Sequence, residues 1–211
     1  MNKSDKMYWF YHMARYATRV FMRLYCRIKV YGVQNLPRHG ACIIAANHAS
    51  YLDPPCISSF QKKRVVWHLA RNTLAKGSLG PWIFKNLHCI MIDRDRGDIA
   101  ALRAALRMLK EGKVVSLFPE GTRTLDGELQ EAKGGVAFLI AKAKVPVVPV
   151  YLSGTFDAWP KGASFVKPRK VTLTYGEPIQ PEELAAVGLG RDSYEELGRF
   201  IMSRIAALKP E

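Results

Sequence analysis

Short apolar runs and helical periodicities alternate along most of the chain. The runs A-C-I-I-A-A at 41–46, R-V-V-W-H-L-A at 64–70, C-I-M-I at 89–92, K-V-V-S-L-F at 113–118, V-P-V-V-P-V-Y-L at 145–152 and K-V-T-L-T-Y at 170–175 have the length and composition of buried strands. Ile99, Leu102, Leu106 and Leu109 recur at helical spacing and stop before Gly112. Residues 136–144 continue as helix, and Tyr194, Leu197, Ile201, Ile205 and Leu208 form a C-terminal stripe. This order predicts an α/β fold: a single domain with a central, largely parallel or mixed sheet flanked by helices. Active sites in such sheets lie outside the carboxyl ends of the strands. His48, Arg94 and the triplet Pro119, Glu120 and Gly121 stand at such ends.

The first thirty residues read differently. Residues 7–28 hold neither Gly nor Pro, and Arg15, Arg19, Arg23 and Arg27 recur every four positions. On a helix they make one basic stripe, beside Tyr16, Val20, Phe21, Met22, Leu24 and Tyr25. Such a helix suits a bilayer surface, its arginines at the lipid phosphates and its aromatic face in the acyl boundary. The expected division is an amphipathic, membrane-associating segment over 1–30 and a catalytic domain over 31–211. A surface helix with solvated arginines is the plainer alternative.

Charge sharpens this picture. The formal charge is +14. Seven cations against Asp5 give residues 1–30 a share of +6, leaving +8 for the remainder. An anionic partner follows: an acidic membrane, a phosphorylated substrate or a nucleic acid. No recognised nucleic-acid motif is present, and the basic stripe is interleaved with lipid-suited aromatics, so no nucleic-acid partner is expected. No apolar stretch approaches the roughly 18–20 residues that span a bilayer, and the N-terminus lacks a signal-peptide pattern. Cys26, Cys42, Cys56 and Cys89 show no C-x-x-C spacing and read as small core residues of an intracellular protein.

Two stretches carry candidate chemistry. In N-H-A-S-Y-L-D, 47–53, His48 and Asp53 would lie about 140° apart on a regular helix, so they meet only if the chain turns between them. Asp53 followed by Pro54 is a helix-start signal that would fold His48 back onto the helix end. The carboxylate could then accept the imidazole N–H and stabilise the imidazolium. Otherwise Asp53 merely caps a helix and His48 is a loop histidine. No third residue at ligand spacing suggests a metal. In F-P-E-G-T-R, 118–123, Arg123 presents a planar fork suited to phosphate, and Gly121 and Thr122 supply an N–H and a hydroxyl. The continuation T-L-D-G-E-L reads as a polar, mobile loop. No P-loop, dinucleotide fingerprint or G-x-S-x-G elbow occurs.

The order of these pieces resembles the 1-acyl-glycerol-3-phosphate acyltransferases of the glycerolipid acyltransferase superfamily. Their four blocks are N-H-x-S-x-x-D, here 47–53; roughly G-x-I-x-x-x-R, here 88–94 with His88 in place of glycine; F-P-E-G-T-R, complete at 118–123; and V-P-V-x-P-V, here 145–150. The likeness extends from about residue 28 to residue 185. Arg71 stands where the family often has lysine ahead of the second block.

The resemblance implies a fatty acyl transfer from acyl-CoA or acyl carrier protein to lysophosphatidate, with no other cofactor. It implies His48 as general base oriented by Asp53. Arg71, Arg94 and Arg123 would hold the acceptor phosphate with Gly121 and Thr122 beside them, while Glu120 would either hydrogen-bond the glycerol or orient the neighbouring arginines. Ser50 could invite a Ser–His reading, but a turn-stabilising hydroxyl is the commoner role. A lysolipid of another kind, or glycerol 3-phosphate, would leave the same blocks, and thioester hydrolysis is a further rival. The expected location is peripheral, on the cytoplasmic face of the cell membrane.

Overall fold

A computed structural model describes residues 3–61, 64–75, 77–92 and 99–210. The order of elements is α1 (Lys3–Leu24), β1 (Lys29–Tyr31), β2 (Cys42–Ala46), α2 (Asp53–Phe60), β3 (Val66–Arg71), α3 (Gly80–Asn86), β4 (Cys89–Ile92), α4 (Ile99–Lys110), β5 (Val114–Leu117), α5 (Gly134–Ala143), β6 (Val147–Ser153), α6 (Thr155–Ala158), β7 (Thr172–Tyr175), α7 (Pro181–Val187) and α8 (Tyr194–Ala206). Among the described residues the strands form one seven-stranded sheet in the order β1-β7-β6-β2-β5-β3-β4. From β6 to β4 all pairings are parallel; β7 runs antiparallel to β6, and β1 is parallel to β7. The expected α/β domain with a mixed, helix-flanked sheet is therefore what the chain forms.

Both faces of the sheet are covered. Ile44 and Ala46 of β2 and Val114 of β5 pack with Cys56 and Ile57 of α2 and Met22 of α1. Ile43, Ala45, Val115 and Leu117 point the other way, onto Ala105 of α4, Leu139 and Ile140 of α5, and Leu197 and Ile201 of α8. Alternation along each strand, with both faces apolar, gives β2 and β5 their continuous hydrophobic runs. The six expected strands are present. The three residues of β1 are too few to carry a periodic signal.

The first helix lies on the domain in an orientation that its composition did not suggest. Tyr11, Met22 and Cys26 are buried. Arg15, only 7% exposed, donates from Nη2 to the carbonyl of Gln61 at 2.6 Å. Arg19 donates from Nε to the carbonyl of Ser59 at 3.1 Å, and its Nη2 reaches the same oxygen. The last carbonyls of α2 have no partner within their own helix, and two guanidinium groups supply them. Half of the basic stripe thus faces the protein rather than lipid phosphates. Beside exposed His12 and Arg23, α1 turns an apolar stripe outward: Trp9, Met13, Tyr16, Val20 and Leu24 are exposed along one side, Tyr16 to 69% and Leu24 to 78%.

His88 occupies a left-handed conformation, φ 56°. That explains why glycine is usual there: a Cβ costs roughly 1–2 kcal/mol in this region. Its ring packs against Tyr11 and Trp67, each at a centroid distance of 4.8 Å, and these contacts tie α1 to the start of β4.

Arg15→Ala should remove a charged donor from a buried carbonyl and lower unfolding stability by about 2 kcal/mol in a urea titration. An unchanged midpoint would show that this bond does not hold α1 to α2.

Candidate active site

Where β2 ends, its neighbour β6 continues, and Asn47 keeps the two in register. The Asn47 side chain donates to the carbonyl of Leu152 at 3.0 Å and accepts its N–H at 2.7 Å. The chain then turns sharply. A single oxygen of Asp53, Oδ2, accepts three N–H groups: His48 Nδ1 at 2.9 Å and the backbone nitrogens of Ala49 and Ser50 at 2.7 Å each. Asp53 is fully buried at the first turn of α2, ahead of two prolines. Its carboxylate points back into the loop rather than capping α2, where no side-chain cap bond forms. His48 and Asp53 are therefore brought together, and the hydrogen bond to Nδ1 leaves Nε2 as the free ring nitrogen.

The second stretch closes over the first. Phe118 stacks on the His48 ring with centroids 3.9 Å apart and planes 16° from parallel. The backbone N–H of His48 donates to Glu120 Oε1 at 2.9 Å, and the carbonyl of His48 accepts the N–H of Thr124 at 2.9 Å. The imidazole is thus held by its Nδ1, by one ring face and by both backbone polar groups. Pro119 and Glu120 form a turn closed by the Gly121 N–H on the Phe118 carbonyl. Gly121 has φ 67°, and a Cβ there would crowd the Lys133 side chain at 3.0 Å.

Arg123 lies over the ring of Tyr51, its guanidinium carbon 3.5 Å from the centroid. Its Nη1 is buried without a hydrogen-bond partner among the described residues. Asp53 Oδ1 is buried and unpartnered in the same way. Burial pushes the Glu120 carboxyl up to about 7; the backbone N–H groups of His48 and Gln130 oppose the shift, and the charge of Asp53 adds to it.

Other expected residues fall out as follows. Arg71 ends β3, paired in register with Ile92 of β4, and its side chain is outside the described part. Arg94 lies outside the described residues. Thr122 is half-buried between Gly121 and Arg123. The Ser50 hydroxyl donates to the carbonyl of Trp159 at 2.7 Å and accepts the Leu52 N–H at 3.1 Å, the arrangement of a turn-stabilising serine. The segment expected to be mobile is folded on itself: Thr124 Oγ1 donates to Asp126 at 2.6 Å, and the N–H groups of Gly127 and Glu128 bond to Thr124 and Asp126. Tyr51, Phe118 and Thr124 were missed in the sequence. The first holds a guanidinium, the second a ring face and the third a carbonyl, roles that spacing alone does not announce.

Residues 27–153 match the Acyltransferase family, well over half of the chain. The chain belongs to that family. Among relatives of this acyltransferase, a 1-acyl-sn-glycerol-3-phosphate acyltransferase of Bacillus subtilis (strain 168) is 27% identical over 175 residues, covering 83% of this chain and 85% of its own. Another of that name, from Limnanthes douglasii, is 31% identical over 167 residues, 74% of this chain and 56% of its own. The crystal structure of the 1-acyl-sn-glycerophosphate (LPA) acyltransferase from Thermotoga maritima superposes with a TM-score of 0.75 at 29% identity, covering 100% of this acyltransferase and 86% of that chain.

Glu120 sets a pH dependence of stability. The folded chain keeps this proton up to about 7, whereas an ordinary glutamate releases it near 4.5. Between these values the unfolded chain binds fewer protons, so the contribution is fully present below 4.5 and lost as pH rises through 7. Glu120→Gln lacks it and keeps an acceptor for the His48 N–H. From pH 4.5 to 8 the variant should gain about 2–3 kcal/mol relative to wild type in urea unfolding. A pH-independent difference would mean that Glu120 ionises normally.

Proposed function

We propose that this acyltransferase moves a fatty acyl group from an acyl thioester, on coenzyme A or acyl carrier protein, to the free hydroxyl of 1-acyl-glycerol 3-phosphate, yielding phosphatidate. The thioester is already activated, and the poor nucleophile is the alcohol. His48 Nε2 takes the hydroxyl proton as the oxygen attacks the thioester carbonyl. The tetrahedral adduct then expels the thiolate, which takes the proton back from the imidazolium. No covalent enzyme intermediate, metal or further cofactor is required. Asp53 fixes the tautomer with Nε2 free and offsets the positive charge as it forms. A positioned general base of this kind supplies roughly two to four orders of magnitude.

The observation that carries the reading is the 2.9 Å bond from His48 Nδ1 to a buried carboxylate, beside an arginine with an unpaired buried N–H. Arg123 takes the acceptor phosphate, with Gly121 and Thr122 beside it, and Arg71 and Arg94 are the further candidates for that role. Tyr51 holds the Arg123 guanidinium flat. Glu120 acts on His48 through its backbone N–H.

The names of the two relatives and the Thermotoga structure support lysophosphatidate as acceptor. Among the described residues no helix is long and apolar enough to cross a membrane. The outward apolar side of α1 supports a peripheral position on the cytoplasmic leaflet, with residues 1–30 as the membrane-associating segment and 31–211 as the catalytic domain.

His48→Ala should abolish formation of labelled phosphatidate from acyl-CoA and lysophosphatidate while the circular dichroism spectrum stays unchanged. Turnover near wild type would end the general-base role. Tyr51→Leu and Arg123→Ala should raise the lysophosphatidate KM at least tenfold with a smaller change in the acyl-CoA KM, and Tyr51→Phe should restore it. An unmoved acceptor KM would remove the phosphate role.

A further inference from the structure

The loop that joins β6 to β7 has no part in the chemistry above, yet it stands at the same end of the sheet as His48. It leaves the carboxyl end of β6, forms α6, and returns to β7, which starts at that end because Ser153 pairs with Thr172. Its base is closed. Gly154 lies against the Lys170 carbonyl too tightly to admit a Cβ, and the N–H of Lys167 donates to the Ala158 carbonyl at 2.8 Å. Trp159 Nε1 donates to the Ala163 carbonyl at 2.9 Å, and Val166 packs on the core.

What this framed loop turns outward is cationic and apolar. Lys161, Lys167, Arg169 and Lys170 are exposed, residues 161–170 hold no carboxylate, and Phe165 is 67% exposed among them. None of these cations has an ion-pair partner among the described residues. The end of α1 lies alongside. Tyr25 donates its hydroxyl to the Val166 carbonyl at 3.1 Å, and the Val171 N–H bonds to the Cys26 carbonyl at 3.1 Å. Exposed Arg23, Arg27 and Lys29 extend the charge, and exposed Phe21 and Leu24 extend the apolar area into the outward stripe of α1.

We propose that the 161–170 loop is a second docking element for an anionic bilayer, acting together with α1. It rests on the membrane-surface reading above and sharpens it. Its lysines and arginines meet anionic headgroups while Phe165 enters the interface. An acidic carrier protein would match the charge as well, but exposed Tyr25, which bonds to the residue after Phe165 and stacks on exposed Phe21 of α1, adds apolar surface beside the charge and favours lipid. The loop begins at Trp159, whose carbonyl accepts the Ser50 hydroxyl and whose ring lies against Tyr51 at 5.4 Å. Docking here therefore sets the mouth of the site, and not only the first helix, at the level of the lipid substrate's headgroup.

The test is flotation of the full chain with vesicles of phosphatidylcholine, alone or mixed with phosphatidylglycerol. Two variants are compared: K161Q/K167Q/R169Q/K170Q, and W9S/Y16S/L24S on α1. The loop variant should bind the mixed vesicles at least tenfold more weakly and the neutral ones as wild type does; the α1 variant should weaken on both. Wild-type binding of mixed vesicles by the loop variant overturns the proposal. If the wild-type chain floats with neither vesicle, the membrane-surface reading fails and this one with it. If vesicle binding persists but turnover falls with acyl carrier protein thioester and not with acyl-CoA, the loop is a protein-docking face and the proposal is overturned. Acyl transfer in detergent micelles reads the reaction separately, and there the loop variant should match wild type.

Discussion

One oxygen organises the site. Asp53 Oδ2 gathers the ring N–H of His48 and two consecutive backbone N–H groups, and so forces the chain leaving β2 to double back on the start of α2. Without that acceptor, two backbone donors in a buried turn would be unpaired, at a cost of about 1–3 kcal/mol each. The same bond that closes the turn also fixes the imidazole. The second loop then needs only to close over a rigid target, which it does through Phe118, Glu120 and Thr124. Two segments seventy residues apart in sequence become one surface because β2 and β5 are neighbours in the sheet.

This explains which parts of the molecule could be read from sequence. The alternation of strands and helices is a property of local periodicity, so the sheet and its flanking helices were expected and are found. An aspartate followed by a proline marked the start of α2, but the residues alone left Asp53 as a plain helix cap, and its meeting with His48 was expected only from the resemblance. The direction of the carboxylate was not readable, since a capping aspartate and one turned back into the loop have the same sequence. Tyr51 stayed hidden for a related reason: its partner Arg123 is distant in the chain, and cation–π contacts leave no spacing signature.

The first helix shows a different limit. Its spacing points to one basic stripe facing lipid phosphates or solvent. Yet the end of α2 presents carbonyls that need donors, and Arg15 and Arg19 satisfy them. A periodicity identifies two faces of a helix but not which of them meets the protein. With the charged side partly turned inward, the exposed aromatic side becomes the noteworthy feature. The end of α1 meets the basic loop at 161–170, so on the proposal above their cationic and apolar surface lies at the end of the sheet that carries His48.

The central claim is spatial: an imidazole steadied by Asp53 reaches the alcohol of a lipid whose phosphate is held by Arg123. A crystal structure with a lysophosphatidate and a non-transferable thioester analogue tests it most directly. The account predicts the free hydroxyl within about 3 Å of His48 Nε2 and the phosphate against the Arg123 guanidinium. A hydroxyl directed to Ser50, or a phosphate seated away from the loop at 118–123, would contradict it.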